Sequence, residues 1–128
     1  MLIRVILFKL PAILIVAAIT FLSSRSTLPV TPMFPGFDKV LHFIAYGALA
    51  FTIGLWFSAE SWTSFPLRNF LICTIIASVF GVIDEFHQYF VPSRVCDFWD
   101  WVADTMGGAA GAAFYLLCTR IYVRKNDK

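Results

Sequence analysis

Apolar residues run through this chain in four long blocks, broken by three short polar stretches. The blocks cover about 3–23, 38–57, 67–90 and 98–123. Each is near the roughly 20 residues that a helix needs to cross a bilayer. The pattern predicts an all-α fold, an integral membrane bundle of four transmembrane helices. It fills 1–128 as a single domain and leaves no room for a soluble domain or a long linker. The first block follows Arg4 and Lys9 as a secretory signal would, but its apolar part is long. Ser23-Ser24-Arg25 is also a poor cleavage site, so the block reads as a retained helix, kinked or started by Pro11.

The breaks have their own signatures. SRSTLPVTPMFPG carries Pro29, Pro32, Pro35 and Gly36, which forbid a continuous helix and make a stiff, extended link. SAESWTSFP carries Glu60 and Trp62, and Trp62 together with Trp56 suits an interfacial aromatic belt. VPSRVCD is so short that the third and fourth helices must form an antiparallel hairpin.

Composition supports lipid as the solvent. The 128 residues are 59% hydrophobic and 14% charged, against about 25% charged in an ordinary soluble domain. The net charge of +2 matters less than its placement. With the N-terminus inside, Arg4, Lys9, Arg68, Arg120, Arg124, Lys125 and Lys128 are cytoplasmic, and Arg25, Lys39 and Arg94 are outside. The positive-inside rule therefore predicts both termini in the cytoplasm. Cys73, Cys96 and Cys118 have neither metal nor redox spacing. No exposed basic patch supports nucleic-acid binding.

The informative residues are the polar ones inside the apolar blocks. Asp38, Lys39, His42 and Tyr46 open the second block, Asp84, Glu85, His87 and Gln88 close the third, and Arg94, Asp97, Asp100 and Asp104 lead into the fourth. An ionisable group at mid-helix costs roughly 2.5–3.5 kcal/mol on insertion scales, so such groups pair or serve a purpose. Loop order puts all three groups on one side of the membrane in either orientation. Helical spacing aligns Asp38, His42 and Tyr46 on one stripe. Gly81, Glu85 and Gln88 share another, and Asp97, Asp100, Asp104 and Gly111 a third, while Asp84 and His87 lie off the main stripe, toward another helix or the interface, and rank below Glu85 and Gln88. Gly107 and Gly111 form a GxxxG with Gly108 beside it, a pattern for close helix packing. Packing within the chain and packing between copies are both open, so a homo-oligomer stays open too.

The strings FDKVLHFIAYGAL and GVIDEFHQYFVPSRVCDFWDWVADTMGGAAG, preceded by FLSSRSTLP, resemble the VanZ-like family of small bacterial integral membrane proteins. The family's Asp-Lys-x-x-His-x-x-x-Tyr element is matched by Asp38, Lys39, His42 and Tyr46. Its Glu-x-x-Gln element near a Pro and an Arg is matched by Glu85, Gln88, Pro92 and Arg94. Its Asp before a small-residue helix is matched by Asp100 with Gly107, Gly108 and Gly111. Many members carry Asn four residues after that Asp, where this chain has Asp104. The resemblance implies a multi-pass protein of the bacterial cell (inner) membrane. Through the family's named member it implies a link to the glycopeptide teicoplanin.

The residues themselves leave three outcomes open. The polar groups are structural glue, with Asp38 and Asp97 at helix N-termini, Glu85–Gln88 bonded, and Arg94 paired with Asp100 or Asp104. Alternatively they form an outward-facing ligand site. Lys39 and Arg94 would then hold a phosphate or carboxylate, Tyr46 and Gln88 would read hydroxyls, and Asp38, Asp97 and Asp104 would line the pocket. In that case His42, Glu85 and Asp100 are the candidates for catalysis, although no Ser, Cys or Thr stands in a nucleophile motif. The third outcome is an ion: His42, Glu85, His87, Asp97, Asp100 and Asp104 include enough ligands, and Asp97-x-x-Asp100 would seat a hard divalent cation bridging to a phosphate, but no ligand spacing is diagnostic, so no metal and no cofactor is expected. The leading reading is a protein that binds, modifies or shields an outward-facing lipid or cell-wall precursor, with membrane lipids as partners. The alternatives are a membrane-embedded enzyme acting on a phosphate-bearing lipid and a structural or partner-binding subunit.

Overall fold

The structure is a computed structural model that describes residues 2–27 and 31–126, with side chains from Ile6 onward. Pro29, Lys128 and the side chain of Arg4, all used in the sequence reading, lie outside the described residues. Among the described residues the chain forms five helices and no strand: α1 (Leu2–Ser23), α2 (Phe37–Gly54), α3 (Ala59–Ser64), α4 (Pro66–Gln88) and α5 (Phe98–Asn126).

The boundaries follow local chemistry. α1 runs unbroken through Pro11. Gly36 takes a left-handed φ of 82° at the N-cap of α2, where a side chain would be strained. Ser58 caps α3 by accepting the Ser61 N–H at 3.1 Å. Pro66 occupies the first turn of α4, where its missing N–H costs nothing.

α1, α4 and α5 are long and apolar enough to cross a membrane. α2, expected as a fourth span, has 18 residues and carries Asp38, Lys39 and His42 in its first two turns, so it is not among them by composition. The second break holds a helix, α3, that the sequence pattern leaves as a loop. Trp62 on α3 is 1% exposed and donates its indole N–H to the Gly54 carbonyl at 3.0 Å. It therefore closes the core instead of sitting in an interfacial belt, because α3 folds back over the end of α2.

Polarity is inverted relative to a water-soluble bundle. The buried stripe of α4 is Asn69, Cys73, Ala77, Gly81, Asp84, Glu85 and Gln88. Its exposed face carries Leu71, Ile75, Val79, Ile83 and Phe86. α5 buries Asp100, Asp104, Gly107, Gly108, Gly111, Ala112 and Thr119 while Met106, Phe114 and Leu117 are exposed. Small and polar residues inside, with large apolar ones outside, is the arrangement that lipid selects.

The small residues set one contact above all. A Cβ on Gly107 would run into the Phe43 carbonyl, and one on Gly111 into the Gly47 carbonyl. The GxxxG thus packs within the chain, backbone to backbone, against α2. Gly111→Val must push α2 and α5 apart at a cost of about 1–3 kcal/mol, the scale of overpacking. Its melting temperature in detergent should fall clearly below that of Ala110→Val, a change at an exposed position. Equal melting temperatures would show that the close approach does not matter.

Candidate functional site

The close pass of α2 and α5 carries their polar first turns together. Lys39 Nζ lies 2.8 Å from Asp97 Oδ2, 2.9 Å from Asp100 Oδ1 and 3.2 Å from Asp38 Oδ2. One turn deeper, His42 Nδ1 is 2.9 Å from Asp104 Oδ1. The His42 and Tyr46 rings are parallel at 6.3 Å, and the Tyr46 hydroxyl meets the Phe80 carbonyl at 3.4 Å. Two of the three predicted stripes therefore face each other.

α4 supplies the third. Glu85 is 4% exposed, and its Oε2 accepts the backbone N–H of Asp97 at 2.7 Å. Asp97 is thereby a junction. Its N–H holds Glu85, its Oδ1 caps α5 through the Trp99 N–H at 2.9 Å, and its Oδ2 takes Lys39. Asp97 stands just before α5, and the ammonium of Lys39 holds its carboxyl below the usual carboxylate range. α4 ends at Gln88, sooner than the apolar run suggests, so Glu85 lies in its last turn and Asp84 just before it. The helix dipole opposes acids there, which increases their need for partners.

Arg94 stands apart from the expected pairing with Asp100 or Asp104. Its Nε donates to the Arg25 carbonyl at 3.0 Å and its Nη2 to the Leu22 carbonyl at 3.3 Å. Leu22 is in the last turn of α1, where its carbonyl also accepts the Arg25 N–H at 3.1 Å, and Arg25 lies just beyond it; the negative end of the helix dipole favours a cation there. Asp100 meets Lys39 and Asp104 meets His42 instead. Ser93, at φ 66°, turns the loop just before Arg94. Gln88 likewise bonds Asp84 Oδ2 at 3.1 Å rather than Glu85.

Asp84 and Ser23 are the residues that sequence reasoning undervalued. Asp84 is buried and accepts from Ser23 Oγ at 2.8 Å, tying α1 to α4. Asp84 lies one residue off the Glu85 stripe, which directs it to α1 instead of α5. His87, also set aside, contacts Ser24 Oγ at 3.0 Å at the exposed rim. An Asp one position from a Glu on a three-helix-facing turn was the available signal.

Two buried oxygens have no partner among the described residues: Glu85 Oε1 and Asp104 Oδ2. Asp104 is 0% exposed, and Gly81 makes room for it, since a Cβ there would come within 2.7 Å of Oδ2. Asp38, His42, Tyr46, Asp84, Gln88, Arg94, Asp97 and Asp100 all line one open cavity of about 560 Å³, whose apolar wall includes Ile19, Leu22, Leu41 and Ile44. The arrangement can accept hydrogen bonds from a head group, hold a cation, or exchange a proton through His42.

No curated protein and no solved structure matches the chain. The model of the VanZ/LLP1 family matches residues 2–119, which takes in all three polar motifs and the helices that bring them together, so the chain belongs to that family.

Proposed function

We propose that this membrane protein binds the head group of an outward-facing lipid or lipid-linked cell-wall component. The single observation that carries this reading is the shape and chemistry of the 560 Å³ cavity. Ile19, Leu22, Leu41 and Ile44 offer a wall for an acyl or prenyl chain. His42, Asp84, Asp97 and Asp100 offer polar atoms at one end. An amphiphile needs that pairing of surfaces.

The reading includes a location. α2 serves as the fourth span, with Asp38 and Lys39 at the interface, and the bundle sits in the bacterial cell membrane with both termini cytoplasmic. The cationic bias of Lys9, Arg68, Arg120, Arg124 and Lys125 against Arg25, Lys39 and Arg94 supports this orientation. The polar end then faces outward, where a glycopeptide such as teicoplanin meets its wall precursor. Holding or shielding such a component would change susceptibility to the drug.

Two measurements test this. A reporter fused after Lys128 should work only as a cytoplasmic probe, and extracytoplasmic activity would overturn the orientation. The second measurement is mass spectrometry of lipids retained on protein purified from native membranes, with teicoplanin susceptibility, membrane abundance and melting temperature followed in parallel. Glu85→Gln and Asp100→Asn should each lose the retained species severalfold while abundance holds. Asp104→Asn should be the mildest, because an amide keeps an acceptor for His42 and removes a buried charge. Retention that is unchanged, or that falls only in step with abundance, would reduce the acids to scaffold.

A further inference from the structure

Three residues from three helices lie close together, and each keeps one ligand atom uncommitted to a hydrogen bond. His42 Nδ1 is engaged by Asp104 Oδ1 at 2.9 Å, which leaves Nε2. Asp100 Oδ1 is engaged by Lys39 at 2.9 Å, which leaves Oδ2. Glu85 Oε2 is engaged by the Asp97 N–H at 2.7 Å, which leaves Oε1, buried and without a partner. His42 Nε2 and Asp100 Oδ2 are 3.9 Å apart, and one ligand atom from each of His42, Glu85 and Asp100 lies within 4.8 Å of the others.

We propose that His42, Glu85 and Asp100 bind one divalent first-row cation, Zn²⁺ or Mn²⁺, whose open positions take a phosphate oxygen of the ligand in the adjoining cavity. The phosphate clause rests on the lipid-binding reading, whereas the cation site stands on its own geometry. Metal–ligand bonds of about 2.0–2.2 Å place neighbouring ligands about 3–3.5 Å apart. Seating an ion therefore requires the present spacing of up to 4.8 Å to shorten. One imidazole and two carboxylates suit a borderline ion, while Mg²⁺ and Ca²⁺ prefer oxygen throughout.

The surroundings fit as well. A ligating histidine commonly donates its other N–H to a carboxylate, and Asp104 occupies that place. The Glu85 oxygen is the second indication: a buried carboxylate oxygen with no donor is costly, and a cation meets it. Charge points the same way. Among the described residues the acids Asp38, Asp84, Glu85, Asp97, Asp100 and Asp104 outnumber the cations at this end: Lys39 and His42 are paired with them, and Arg94, which lines the same cavity, spends its guanidinium on the Leu22 and Arg25 carbonyls. Such a mouth repels phosphate until a divalent ion is seated. Linear spacing does not single these three out among the six candidate ligands, because each comes from a different helix.

The test uses untagged full-length protein in detergent, stripped with EDTA and desalted. ZnCl₂ or MnCl₂ is then added alone, with bound metal counted by mass spectrometry and melting temperature followed. The expected result is one ion per chain for at least one of the two metals, with a rise in melting temperature. Glu85→Gln and Asp100→Asn should abolish stoichiometric binding, and Asp104→Asn should weaken it about 10–100-fold, the usual effect of losing an outer partner. Where Glu85→Gln does not fold, His42→Gln, at a half-buried position, gives the same reading. Absence of saturable binding of both ions, or binding unchanged in the variants, overturns the site. Native lipid that stays bound after EDTA overturns the phosphate bridge and leaves the cavity reading intact. One bound ion with no retained lipid upholds the cation site and removes the lipid-binding reading.

Discussion

The backbone contact between α2 and α5 is the constraint from which the polar end follows. Side chains cannot separate these helices at Gly107 and Gly111, because the Phe43 and Gly47 carbonyls already occupy the space. At that separation short side chains suffice to bridge the gap. Asp104 reaches His42 with one methylene, and Lys39 reaches Asp97 and Asp100 together. A wider crossing, such as Leu-on-Leu packing would give, would leave the same residues facing each other without contact. The glycines and the charges are therefore one device, although they lie on different turns.

Lipid makes this device costly and hence informative. A buried ion pair repays its desolvation only when its remaining hydrogen-bonding capacity is also met. Most of the cluster meets that condition even at its partly exposed edge: Lys39, with 33% of its side chain exposed, has three acceptors, and Asp97 uses its N–H and both carboxylate oxygens. Glu85 Oε1 and Asp104 Oδ2 do not obey it. They stand in the middle of an otherwise satisfied network. A network built only as glue would close there, with an Asn or Gln supplying the missing donor.

Much of this was legible in the sequence, for identifiable reasons. The apolar runs gave the long helices because hydropathy is a local property. The i, i+4 spacing of Asp38–His42–Tyr46 and of Asp100–Asp104 gave the facing stripes because helical phase is local too. What failed was direction across space. Charge, the only guide in sequence, points Arg94 toward the acids, whereas the Leu22 and Arg25 carbonyls that it meets carry no mark in sequence. Trp62 was read as interfacial because α3 is a single short turn-like helix without a periodic signal. Asp84 and Ser23 were undervalued because their partnership spans helices whose relative rotation no pattern specifies.

α1 meets this network differently from the other helices. Among the described residues its hydrogen bonds to the rest of the chain lie at its last turn and just beyond, through Ser23 to Asp84, Ser24 to His87, and the Leu22 and Arg25 carbonyls to Arg94, while near its other end the Lys9 ammonium lies 5.9 Å over the Trp56 ring. Below that point it offers Ile19 and other apolar side chains to α2 and α4. No tight glycine contact, comparable to that between α2 and α5, involves it. α1 is thus pinned at the polar end and held elsewhere by contacts that lipid tails could replace at little cost, since a hydrocarbon chain packs against Ile or Leu as well as another Leu does. The wall of the cavity with the weakest hold is the one facing away from the α2–α5 crossing, and a chain-bearing ligand entering there would leave the arrangement of His42, Glu85 and Asp100 undisturbed.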